Sequence, residues 1–156
     1  MRRLATLTVL LALAVSATAD ARIVPQQGIK GVTLDMTDRQ VRAKLGRPDG
    51  IAFKRHEIIG RSKTYRYGLT KILIGPGSGK VLSITTTSRA ERTSSGVGVG
   101  STERAVDTRV RNSTCKTEFG LRHCYVGSFR PGRRVTDFFI SRTGRVTSVT
   151  VGIVID

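Results

Sequence analysis

Tryptophan is absent from this 156-residue chain, and aromatic residues of every kind make up only 5% of it. A stacking platform for single-stranded nucleic acid needs several well-placed rings, so the composition argues against that class of binder. Acids are scarce as well: 11 Asp and Glu stand against 27 Lys and Arg, a formal charge of +16. So basic a surface is matched to anionic partners or surroundings. With 2 Cys, zinc sites built from four thiolates are excluded. Beyond Asp20 no apolar run is long enough to span a bilayer. What remains is a hydrophobic fraction of 38% with 17 Gly. That is ordinary for a globular domain and argues against wholesale disorder.

The first residues read as an address. Met1-Arg2-Arg3 is a positive start, Leu4 to Val15 is apolar, and Ser16-Ala-Thr-Ala19 supplies the small residues that signal peptidase accepts. A signal peptide over 1–19, cleaved after Ala19, is therefore expected. No Cys follows the cleavage point, so a lipid anchor there is not expected, nor is a transmembrane one. The product is expected to be secreted or extracytoplasmic and soluble. Export makes a disulfide the default for Cys115 and Cys124, closing a short loop and contributing about 2.5–3 kcal/mol on the chain-entropy view. A metal site of Cys115, His123 and Cys124 is the alternative, but it lacks a fourth ligand. No metal and no cofactor are expected.

An internal repeat is suggested by sliding the chain against itself by 65 residues, which aligns Gly31–Leu45 with Gly96–Val110 and Gly79–Thr85 with Gly144–Thr150. The expected organisation is two tandem units, 28–87 and 93–156. Each unit begins with a short helix. Thr37 with Gln40 forms a capping box, Met36 and Val41 a staple, and Gly46-Arg-Pro48 a stop. Thr102, Val106 and Val110 repeat the pattern without the Gln. A period of two then marks three strands per unit: Tyr65–Tyr67, Lys71–Ile74 and Val81–Thr87, then Arg122–Phe129, Val135–Ser141 and Val146–Ile155. The expected fold class is α+β, two helix-then-antiparallel-strand repeats with their sheets side by side and the helices on one face.

These motifs resemble a known family. Leu34-Asp-Met-Thr-Asp-Arg-Gln-Val41, then Leu45-Gly-Arg-Pro48, Tyr65-Arg-Tyr67 and Gly79-Lys-Val81, resemble the SmpA/OmlA (BamE-like) domain. Two such units in tandem, with Cys115 shortly after the second helix, are similar to the β-lactamase inhibitory proteins. The resemblance implies a binding module whose sheet face meets a protein.

The other chemistry is thin. Gly75-Pro-Gly-Ser-Gly-Lys80 is one residue short of a phosphate loop and precedes a strand, so it reads as a hairpin turn. Arginine outnumbers lysine 20 to 7, most densely at Arg130-Pro-Gly-Arg-Arg134. The expected function is a secreted, non-enzymatic binding module. Its basic sheet face would use Tyr65, Arg66 and Tyr67, with Arg133 and Arg134 at a rim. Its partner would be a secreted or envelope protein, or an anionic envelope polymer, with no small-molecule substrate. The alternative is a secreted basic nuclease using His56, Glu57 and His123 as acid–base and electrostatic groups.

Overall fold

Two short helices form where caps and apolar spacing call for them, and strands take most of the remainder. The computed structural model describes residues 22–58, 60–77 and 79–155, so the leader and its cleavage point at Ala19 lie outside the described residues. Helix α1 (Asp38–Leu45) starts at Thr37, whose side chain accepts from the Gln40 amide while the Gln40 side chain accepts from the Thr37 amide. That box satisfies amides which a helix start otherwise leaves open. Helix α2 (Glu103–Arg109) keeps only half of it, Thr102 accepting from the Ala105 amide. Each helix buries one residue completely, Val41 or Val106. Helices this short are held by packing rather than by propensity.

The strands build two sheets. β1 (Ile23–Val24), β2 (Gly28–Ile29) and β3 (Val32–Thr33) form a small antiparallel sheet. The large sheet comprises β4 (Gly50–His56), β5 (Gly60–Tyr67), β6 (Thr70–Ile74), β7 (Val81–Thr86), β8 (Thr114–Glu118), β9 (Leu121–Gly127), β10 (Arg134–Ile140) and β11 (Val146–Ile153). Its order is β4-β5-β6-β7-β11-β10-β9-β8, antiparallel throughout. One face packs Ile72, Ile84, Phe138, Val149 and Val151 against Val41, Val106 and the small sheet's Ile23, Ile29 and Val32, in one apolar cluster. Among the described residues the opposite face carries no helix.

This corrects the expected fold class. The described residues are mostly β, 49% of them strand and 11% helix, with a continuous eight-stranded sheet and a separate three-stranded one. It is not two helix-then-strand repeats with three strands apiece. The physical reason lies in segments that carry no clear period. Phe53-Lys-Arg-His-Glu57 reads as a polar loop, yet through His56 it belongs to edge strand β4, exposed along most of its length. A strand exposed on both sides need not alternate. The strands of the small sheet are two residues each, too short to show any period. Register shifts at Leu73/Ile74 and Phe139/Ile140 also break the alternation of β7 and β11, turning both Val81 and Ile84 inward.

Cys115 and Cys124 sit directly opposite each other on β8 and β9 and are bonded, as expected for an exported chain. Their sulfurs are therefore not metal ligands. His123 also lies on the other side of β9 from Cys124, which removes the Cys115–His123–Cys124 metal site. Among the described residues no helix is long and apolar enough to cross a membrane.

Candidate functional site

Residues paired across antiparallel strands share a face, and alternate residues along a strand share it too. The pairings Arg66↔Lys71↔Thr85↔Thr150↔Asp137↔Tyr125 therefore trace one row across the helix-free face. Beside it run Thr64, Leu73, Ser83 and Gly152 on one side, and Ser148, Phe139, His123 and Lys116 on the other. The centre of the face is a trough of small residues. Thr85 and Thr150 hydrogen-bond across its floor at 2.9 Å, and a side chain at Gly152 would come within 3.2 Å of Ser83 Cβ. Larger groups wall it: Arg66, Lys71 and Leu73 on one flank, Phe139, Asp137 and Tyr125 on the other.

The two flanks differ in chemistry. Arg66 and Lys71 are exposed, and neither belongs to any ion pair among the described residues, nor does Lys54 on neighbouring β4. Three acids elsewhere are engaged: Asp35 by Arg134, Asp38 by Lys63 and Arg42, Glu103 by Arg122. The far flank is an aromatic and polar cluster. His123 is buried, and its Nδ1 lies 2.9 and 3.1 Å from the two Asp137 oxygens. Its ring stacks on Phe139 and neighbours Tyr125 and Phe129. The Lys116 ammonium sits 4.9 Å from the Tyr125 ring centre and 2.7 Å from Glu118 Oε1. Burial pushes the Asp137 carboxyl above the ordinary carboxylate range, outweighing the hydrogen bond to His123.

The expected site residues are not brought together. Tyr65 and Tyr67 are buried on the helix side, donating to Asp38 Oδ1 at 2.5 Å and to the Gly46 carbonyl at 3.0 Å. Arg66 between them points to the open face. Arg133 and Arg134 line a groove of about 580 Å³ with Gln26, Ser128 and Arg130 at one end of the sheet. Arg134 there is paired with Asp35 at 2.6 Å. His56 and Glu57 close the β4–β5 hairpin. Six strand-to-strand steps separate β4 from β9, so His56 and His123 lie on the order of 29 Å apart and share no active site. The His123–Asp137 pair escaped sequence reasoning, although alternation along β9 and β10 does put His123 beside Tyr125 and Asp137 beside Phe139.

The helix-side cluster has a structural role. Burial alone would raise the Asp38 carboxyl, but hydrogen bonds from Lys63 and Tyr65, then the charges of Lys63 and Arg42, bring it below the ordinary range. A lowered carboxylate stabilises the fold above its unfolded pKa, and the contribution disappears as pH falls through the folded value. Asp38→Asn is therefore expected to cost about 1 kcal/mol near neutrality, part of it from the helix dipole. The gap between wild type and variant should close below about pH 4 in urea unfolding. A gap that stays constant on acidification would remove the ionic explanation.

No protein-family model matches the chain, and no curated protein is similar to it in sequence. Among solved structures, a DUF4309 family protein from Bacillus subtilis subsp. subtilis str. 168 is 14% identical, covering 87% of this chain and 90% of that one, with a TM-score of 0.47. A cysteine-rich secretory protein from Staphylococcus aureus subsp. aureus Mu50 is 10% identical over 77% of this chain, with a TM-score of 0.45. An extracellular protein containing an SCP domain, from Bacillus anthracis str. Ames, is 9% identical over 77% of this chain, with a TM-score of 0.48. This chain spans 44% of the length of each of the latter two. The SmpA/OmlA resemblance, and with it the likeness to the β-lactamase inhibitory proteins, is not upheld. No family model supports it, and the large sheet is continuous rather than split into two helix-then-strand units. The motifs behind it, a capped start and a Leu-Gly-x-Pro stop, are general helix-end chemistry that α1 uses for its own caps.

Proposed function

We propose that this protein is an exported, non-enzymatic binding module whose helix-free sheet face takes an acidic protein surface. The carrying observation is the pairing on one open face of unpaired cations, Arg66 and Lys71, with a small-residue trough and an aromatic flank. Cations steer an acidic partner and set its register, while the trough and aromatic residues supply contact area. A flexible anionic polymer would need only the charge. The disulfide supports an oxidising, extracytoplasmic location, and the leader-like first residues agree with it. The nuclease reading finds no support, because its histidines stand at opposite ends of the sheet.

The test is charge reversal. Arg66→Glu combined with Lys71→Glu is expected to weaken binding to immobilised poly-L-glutamate about tenfold at low salt. Arg130→Glu combined with Arg133→Glu, in the groove at the end of the sheet, should weaken it much less. If the groove variant loses more, the binding face has been placed wrongly. Equal capture of polyphosphate by wild type and the Arg66/Lys71 variant, with no poly-L-glutamate binding by either, would point to a polymer partner instead.

A further inference from the structure

The geometry points to a carboxylate-binding site between Lys116 and His123, occupied in this structure by the protein's own Glu118. The two residues are directly opposed on β8 and β9, and both face the open side. Glu118 bridges them: Oε1 lies 2.7 Å from Lys116 Nζ, and Oε2 lies 3.7 Å from His123 Nε2. The first distance is a good ion pair. The second is too long for a hydrogen bond. His123 Nε2 is consequently a buried polar atom without a hydrogen-bond partner, on a residue only 6% exposed. Such an atom carries a free-energy penalty that a suitable ligand atom would relieve.

The imbalance has a source in the backbone. Glu118 is the last residue of β8, next to a tight turn in which Phe119 and Gly120 both have positive φ. Its carboxylate is 42% exposed, whereas the imidazole beneath is 8% exposed. From there it reaches the ammonium but stops short of the imidazole. An external carboxylate is not tethered to that strand end and can meet both groups at once. Its opposite side would face Tyr125 and Phe129, whose ring centres are 4.9 Å apart.

The protons follow from the same contacts. Nδ1 faces the Asp137 carboxyl, so a carboxylate accepting from Nε2 requires the His123–Asp137 pair to hold one proton more than a bare imidazole beside a carboxylate. The site therefore offers an N–H donor at Nε2 only when the pair holds that proton. The ionisable groups facing the imidazole are Lys116 and Glu118 from β8, Tyr125 from β9 itself and Asp137 from β10. The site deepens the proposed reading by naming the group an acidic partner would insert, but it is testable without any partner.

Acetate is the local probe, and acetyl-hexaglutamate tests the same chemistry carried on a peptide. Ring nitrogen shifts of His123 are followed by NMR, with exposed-strand His56 as the internal control and chloride as the salt control. Saturable movement of the His123 signals is expected with acetate and not with chloride. Glu118→Gln should tighten acetate binding about fivefold by removing the competitor, and Lys116→Gln should weaken it by a similar factor. Unmoved His123 signals, or a Glu118→Gln variant that binds acetate no tighter, overturn the site even if poly-L-glutamate binds elsewhere on the face. If acetate binds as expected but poly-L-glutamate and hexaglutamate do not, the site stands and the acidic-protein reading falls.

Discussion

Replacing Asp137 with Leu is expected to destabilise the protein by about 3–5 kcal/mol where His123 is charged, because the imidazolium is left buried without its carboxylate. Where the imidazole is neutral the loss shrinks to about 1–3 kcal/mol, the cost of an unsatisfied polar atom. The double variant His123→Leu with Asp137→Leu should recover much of that, since two apolar groups on adjacent strands leave nothing unpaired. A coupling energy of about 2 kcal/mol or more is therefore expected from a urea-denaturation cycle. Additive losses would mean that the 2.9 Å contact contributes nothing beyond its surroundings. The two carboxylates discussed above also pull in opposite directions with pH. Asp137, held above the ordinary range, favours the fold below its unfolded pKa, and that contribution is lost as pH rises through the folded value. Asp38 does the reverse.

Phe138→Ala should be as costly, about 3–5 kcal/mol, for a different reason. Phe138 is the largest fully buried side chain, at 0% exposure. It stands between Cys124 and Val149 in the cross-strand row on the core side. Truncation leaves a hole that the neighbouring strands cannot close without breaking their hydrogen bonds. Phe139, one residue on, faces the open side against His123. Phe139→Ala should lower the denaturation midpoint far less and should instead alter binding at the aromatic flank. If the two variants lose equal stability, the assignment of faces along β10 is wrong.

Much of the local structure could be read directly from the residues. Thr37 with Gln40 announced the start of α1, and Val41 its buried face. The cysteines announced their bond, and the strand segments after each helix overlap β5, β6, β7, β9, β10 and β11, running one or two residues past the ends of the last four. What could not be read was long-range or aperiodic. Nothing in β4, exposed on both sides, distinguishes it from a loop. Nothing local says that β7 pairs with β11, the contact that makes one sheet. The candidate site was missed for a related reason. Adjacency in sequence sets Tyr65 and Tyr67 beside Arg66, but strand alternation sends neighbours to opposite faces. His123 and Asp137 meet only because the β9–β10 register sets them diagonally, and their separation of 14 positions is no spacing motif that would announce it.

Among the described residues the large sheet is open, and its outermost strands, β4 and β8, are each paired on one side only. Such borders invite further strands to add on, the first step of fibre growth. Here Lys54 and Arg55 stand on one border and Lys116 on the other. A second copy laying its own β4 border against this one would bring cation against cation, whereas Lys116 on the other border is already paired with Glu118. The scarcity of acids that suits this surface to an acidic partner thus also keeps one molecule's sheet from extending into the next. Self-assembly into filaments should emerge only when salt or bound polyanion masks those charges.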